Sequence, residues 1–289
     1  MKLICLLLAT NMIAGANANP QNAAFTVEVR GTGPAVFMLP GLASPGMVWA
    51  PIARQLQEHY QVHVFTLAGF AGVTPRVVKD GLLASTSEDL IRYAKAQGIE
   101  HPTMIGHSMG AVLSFSVCAK LNCKAVIAVD GVPFFPALLD PTATVKSATA
   151  PATAMRNAIA NQSKDQFVAQ QQLTMRSMIR DPAKADHWSV WTSKSDPATV
   201  AQIMFEVMTT DLRPSLRRIK APILLIAATG AMPPTMQAGA TAAYQAQLAL
   251  APDARLVVNP DSLHFVQLDQ PKWLLAQIET FLNAGAQAR

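Results

Sequence analysis

The sequence predicts an α/β fold: a mostly parallel central sheet flanked by helices, with one helical insertion. Three observations carry that expectation. Apolar runs of strand length alternate with helical stretches of about a dozen residues, the pattern of successive βαβ units. The run "AVFMLP" (35–40) is continuously apolar, as a strand covered on both faces should be. From 133 to 212 the chain offers helical and polar segments rich in Ala, Gln and Met but no strand-like run, before the alternation resumes at 221.

The elements follow in order. "FTVEVR" (25–30) alternates like a strand, and Gly31-Thr32-Gly33-Pro34 turns it into the apolar run at 35–40. A helix is expected over 47–57, a strand at "VHVFTL" (62–67), and then the glycine-rich "AGFAG". Residues 86–97 read as a helix with Thr86 or Ser87 as N-cap. "TMIGH" (103–107) reads as a strand, 108–120 as a helix and "KAVIAVD" (124–130) as a strand. After the insertion come a strand at "APILLIAA" (221–228), a helix over 235–250, a strand at "ARLVVN" (254–259) and a helix over 271–283.

A chain of 289 residues suits one large α/β domain or two small ones, and 51% apolar against 14% charged residues leaves ample material for a core. The net charge of +5 is dispersed, with no basic stripe interleaved with aromatics, which argues against nucleic-acid binding. Lys2, the apolar stretch 3–9 extended by Met12 and Ile13, and Ala16-Asn17-Ala18 together have the grammar of a cleavable export signal over 1–18. The expected mature chain starts at Asn19, is periplasmic or secreted, and has no later run of the ~18 apolar residues that span a membrane. Cys5 sits too early for a lipoprotein cysteine. Export permits a disulfide between Cys118 and Cys123, with two unpaired, half-buried thiols as the alternative. Neither a metal nor a cofactor is implied.

The chemistry concentrates at Gly106-His107-Ser108-Met109-Gly110, a G-x-S-x-G pattern at a strand-to-helix junction. A serine nucleophile there must sit on a turn so tight that its backbone is strained, and the flanking glycines let neighbouring backbone pass. The next helix aims its first N–H groups, Met109 among them, at the carbonyl oxygen where negative charge develops. His107 adjoins the serine but points elsewhere on such a turn, so packing or a local hydrogen bond is its expected role.

With these segments in hand, the chain resembles an α/β-hydrolase of the lid-bearing serine-hydrolase kind over about residues 25–285. "FMLPGLASPGMVW" resembles the family's oxyanion loop, and "TLAGFAG" the next glycine-rich turn, without the family's frequent Asp. "IGHSMG" resembles the nucleophile turn, "LRRIKAPILLIAA" the return to the sheet, and "DSLHFVQLDQPKWLLAQIETFL" the terminal histidine loop and helix. The resemblance implies an α/β-hydrolase fold with a core over 19–132 and 213–289 and a helical lid insertion over 133–212. It also implies the Leu42 N–H as a second oxyanion donor beside Met109, and His264 as the general base.

Of the six histidines, His59 and His63 flank a strand start and read as surface or packing residues, and His187 lies in the insertion. The acid is the departure. The family usually carries it in the loop after the strand that here reads "PILLIAA", and that loop, "TGAMPPT" (229–235), holds no Asp or Glu. Asp130 is the leading alternative, because it ends the strand after the nucleophile helix and opens at the same edge of the sheet. Certain haloalkane dehalogenases of the family place their acid there. Asp211, the turn residues Asp253 and Asp261, and a Ser-His dyad remain open.

A serine at 108 excludes the aspartate-based chemistry of related dehalogenases and epoxide hydrolases. Acyl transfer to water remains, with a small or medium apolar ester as the simplest substrate. Met155, Met175, Met178, Met204, Met208, Trp188 and Trp191 lie in the insertion, where they serve either as its own core or as an apolar substrate wall. A non-catalytic binding protein, and a serine-dependent acyltransferase or carbon–carbon hydrolase, are the competing functions.

Overall fold

The computed structural model describes residues 23–78 and 81–287; the export signal expected over 1–18 lies outside them. Seven strands form one sheet: β1 (Phe25–Arg30), β2 (Ala35–Leu39), β3 (Gln61–Leu67), β4 (Thr103–His107), β5 (Ala125–Val129), β6 (Ile223–Ala228) and β7 (Ala254–Asn259). Their spatial order is β1-β3-β2-β4-β5-β6-β7, antiparallel between β1 and β3 and parallel elsewhere.

Strand composition follows position in this order. β4, β5 and β6 are buried along their whole length, as parallel strands covered on both faces must be, whereas the edge strands β1 and β7 are partly exposed. Because successive side chains point to opposite faces, β2 feeds two cores at once. Phe37 and Leu39 join Phe65, Leu113 and Phe115 on one side. Val36 and Met38 join Trp49, Ile105, Ile127 and Ile278 on the other.

The helix expected over 47–57 is two elements, a 3-10 turn (Gly46–Trp49) and α1 (Ala50–Leu56). The turn runs so close to β3 that a Cβ on Gly46 would stand 2.4 Å from the Phe65 carbonyl oxygen. α2 (Leu82–Ala96) starts ahead of the expected cap, and Thr86 and Ser87 are buried inside it. Its true N-terminal partner is distant in sequence: the Glu206 carboxylate accepts the N–H groups of Leu82 (2.9 Å) and Leu83 (2.7 Å). α3 (Met109–Cys118) is buried nearly throughout, and a Cys118–Cys123 disulfide with a Cα separation of 5.4 Å closes the turn behind it.

Between β5 and β6 the chain is helical: α4 (Pro136–Leu139), α5 (Val145–Ala160), α6 (Lys164–Met178), α7 (Pro182–Thr192) and α8 (Pro197–Thr209), then a 3-10 turn (Arg213–Arg218). Short polar residues open these helices. Thr144 and Ser163 form capping boxes, while Asp181 and Asp196 cap helices that carry Pro in the first turn. α9 (Pro234–Gln247) follows β6, and α10 (Val266–Asp269) and α11 (Pro271–Gln287) follow β7. The joint between α6 and α7 is stitched to the loop that carries His264. Met178 O accepts the Phe265 N–H, Asp269 accepts the Arg180 N–H, the Arg180 side chain donates to Asp261 O, and Lys184 Nζ donates to Leu268 O. Among the described residues no helix is long and apolar enough to cross a membrane.

Candidate active site

Ser108 stands between β4 and α3 with φ 53° and ψ −118°, a left-handed backbone that a non-glycine residue rarely adopts. The surrounding glycines explain how the chain tolerates it. A Cβ on Gly106 would lie 2.2 Å from the Gly110 carbonyl oxygen, and one on Gly110 would lie 2.4 Å from that of Leu39. The G-x-S-x-G spacing is therefore a steric requirement of two chain segments crossing at backbone contact. The Ser108 N–H donates to Val129 O at 2.9 Å, so the turn hangs from the neighbouring strand. Its side chain makes no capping bond to α3 and remains half-exposed.

β5 ends in the same manner. Asp130 has φ 46°, and its N–H donates to Ile226 O at 2.7 Å. Its carboxylate is buried, with 7% of the side chain exposed. Oδ2 lies 2.6 Å from His264 Nδ1, and Oδ1 accepts the Ala228 N–H (2.9 Å) and the Tyr244 hydroxyl (2.6 Å). The other acids considered above are engaged elsewhere. Asp211 is paired with Arg213, and Asp253 and Asp261 remain turn residues whose backbone groups bond to Ile223 and Asn259. The loop 229–235 contributes no carboxylate, and the strand before it supplies the Ala228 N–H to Asp130 instead.

His107 is fully buried, and Nε2 lies 3.0 Å from the His264 carbonyl oxygen, which makes Nε2–H the donor. Its ring centroid lies 4.6 Å from that of His264. Desolvation, then repulsion by a charged His264, hold its pKa well below the ordinary 6.5. A neutral imidazole pinned this way packs against the His264 ring and holds its backbone. Among the described residues buried Nδ1 has no hydrogen-bond partner, and it faces Gly41, where a Cβ would come within 2.8 Å of it.

Leu42 and Met109 follow Gly41 and Ser108 directly, and among the described residues no protein acceptor takes either backbone N–H. The Leu42 loop is tied to the helical segment by Ser195, whose hydroxyl donates to Ala43 O and accepts the Ala71 N–H, both at 2.9 Å. Trp188 packs on the cluster that contains Phe265, next to His264, whereas Trp191 carries the Lys194 ammonium 4.1 Å over its ring. Of the remaining histidines, His63 is buried against Tyr93 and His59 is exposed. Among the described residues no cluster of three or more His, Cys, Asp or Glu side chains is arranged to hold a metal ion. Sequence reading did not single out Tyr244: it belongs to no motif, and its one signal is its place on the helix after the carboxylate-free loop.

A family model described as "Alpha/beta hydrolase family" matches residues 36–277. RutD of Escherichia coli (strain K12 / DH10B), named as a candidate carbamate hydrolase, is 29% identical over 97 residues, 34% of this chain and 36% of that protein. The chain thus spans little more than a third of the curated relatives it matches. An enol-lactonase from Burkholderia xenovorans LB400 superposes with a TM-score of 0.68 at 17% identity, covering 90% of this chain and 97% of that one. A thermophilic esterase from Thermogutta terrifontis superposes with a TM-score of 0.71 at 18% identity, covering 90% and 94%.

Proposed function

Because the chain belongs to the alpha/beta hydrolase family, we propose that it is a serine hydrolase that cleaves a small or medium apolar ester by a Ser108–His264–Asp130 acyl-enzyme mechanism. The observation that carries this reading is the 2.6 Å contact between His264 Nδ1 and Asp130 Oδ2 on the same sheet edge as the strained Ser108. In the first half-reaction His264 Nε2 takes the Ser108 hydroxyl proton as Oγ attacks the ester carbon. The tetrahedral oxyanion accepts the Met109 and Leu42 N–H groups. His264 returns the proton to the leaving alkoxide, and water repeats the sequence on the acyl-enzyme. Asp130 holds the imidazole in the tautomer with Nδ1–H and stabilises its cation. The helices between β5 and β6 serve as a roof, and Trp188 and Trp191 as part of its apolar lining.

The non-catalytic alternative drew its support from the carboxylate-free loop 229–235, and the Asp130–His264 contact weighs against it. We also assign the mature chain to the periplasm or the exterior, on the strength of residues 1–18 and of the Cys118–Cys123 disulfide, a bond that persists in oxidising compartments. A fluorophosphonate probe tests the catalytic reading. It should label the folded wild-type chain and leave Ser108→Ala unlabelled. Wild-type protein that stays unlabelled at neutral and mildly alkaline pH would overturn it.

A further inference from the structure

The buried Asp130 carboxylate has a third donor that the acyl-transfer scheme does not use. Tyr244 lies on α9, directly after the carboxylate-free loop, and its side chain is buried at 6% exposure. Its hydroxyl donates to Asp130 Oδ1 at 2.6 Å, the Ala228 N–H shares that oxygen at 2.9 Å, and Oδ2 is left for His264. The last torsion of an aspartate is broad, so a carboxylate held by one partner swings about it. Two donors on one oxygen settle the plane and aim the other oxygen.

We propose that Tyr244 is a positioning residue for the acid: it fixes the Asp130 carboxylate so that Oδ2 meets the imidazole. The inference rests on the Ser108–His264–Asp130 reading. It also accounts for an acid at the end of β5 in a chain whose β6 loop has none, because the helix that follows that loop supplies the hydroxyl. Burial, then the Asp130 charge, push the phenol's pKa far above the ordinary 10. Tyr244 is therefore an O–H donor at every pH where an imidazole works. Among the described residues His107, held neutral, is the other titratable group packed against His264.

Tyr244→Phe removes one oxygen and tests the role. The fluorophosphonate labelling rate of Ser108 should fall about tenfold. The acidic limb of its pH profile should move to higher pH, since a carboxylate with fewer donors holds the imidazolium more strongly. The downfield proton resonance of His264 Nδ1–H should move as well. A tyrosine with a merely structural role would lower thermal stability and leave both signatures in place. In an Asp130→Asn background the same substitution should change the rate by less than about twofold, because Tyr244 acts through Asp130. Biosynthetic replacement of the three tyrosines by 3-fluorotyrosine, which keeps the shape and strengthens the donor, should move the limb the opposite way. An unmoved limb and a wild-type rate in Tyr244→Phe, with Asp130→Asn slow, overturn the positioning role and leave the triad standing. Full-rate labelling of Asp130→Asn overturns the triad, and this inference with it.

Discussion

β4 and β5 are neighbours, and each ends in a non-glycine residue at positive φ whose N–H bonds to the next strand: Ser108 to Val129 and Asp130 to Ile226. The side chains are treated in opposite ways. Ser108 is half-exposed and makes no capping bond to its helix, while Asp130 is buried with its carboxylate against three donors, His264, Ala228 and Tyr244. One strained turn presents an atom, and the other immobilises one. Backbone strain of this kind costs about 1–3 kcal/mol per residue and persists only where surrounding structure over-determines it. At Ser108 the crossing glycines do that. At Asp130 the side chain's own hydrogen bonds contribute, and Asp tolerates left-handed backbone better than Ser.

The comparison breaks first on activity. Ser108→Ala should lower kcat on a p-nitrophenyl ester by about 10⁶-fold, and Asp130→Asn by about 10⁴-fold, since the amide leaves the serine in place but favours the wrong imidazole tautomer. Equal losses would mean that the two turns act as one nucleophilic unit. A loss below tenfold in Asp130→Asn would remove the acid from the scheme.

Acid should act next, on two buried histidines. His107, adjoining Ser108, and His63 in β3 are both buried neutral; burial lowers the His63 pKa to about 4, with its Nδ1 2.8 Å from the Tyr93 hydroxyl. A histidine with a depressed folded pKa takes up protons more readily when unfolded, so its stabilisation is complete above pH 6.5 and is lost as pH falls through the window from 6.5 to 4. The drop from 6.5 to about 4 corresponds to at most roughly 3–4 kcal/mol for His63. Thermal unfolding scanned between pH 7 and 4 should show Tm falling over that window, with a shallower fall in His63→Gln. Parallel curves would remove His63 from the account.

The smallest effect is the sharpest test of the contrast. Ser108→Gly relieves strain and removes no capping bond, so it should raise stability by about 1 kcal/mol. Asp130→Gly relieves strain too, but strands the Tyr244 hydroxyl and the Ala228 N–H, and should lower stability by about 1–3 kcal/mol. Denaturant midpoints would read both. The same sign in both variants would show that the turns are held by the same means.

Much of this was legible in residues. The strands β4, β5 and β6 announce themselves as apolar runs, and the steric need for Gly106 and Gly110 is written in their spacing from Ser108. Asp130 could be named as the leading candidate because it ends a strand whose edge is known and the loop at 229–235 is empty of carboxylates, and the structure sets its carboxylate against His264. What could not be read depends on partners far apart in sequence. The start of α2 at Leu82 is set by Glu206, 124 positions away, so local cap residues at 86 and 87 misled. Tyr244 meets Asp130 across 114 positions with no periodic signal to mark it. The disulfide between Cys118 and Cys123 was one of two open outcomes until the turn after α3 brought their Cα atoms to 5.4 Å.

The stitching of the α6–α7 joint to the loop of His264 has a consequence for access. Any movement that lifts Met178 and Arg180 must break the bonds to Phe265, Asp269 and Asp261 or drag the imidazole with it. Were substrate admitted by that route, the imidazole of the proposed triad would leave its place while the joint stood open.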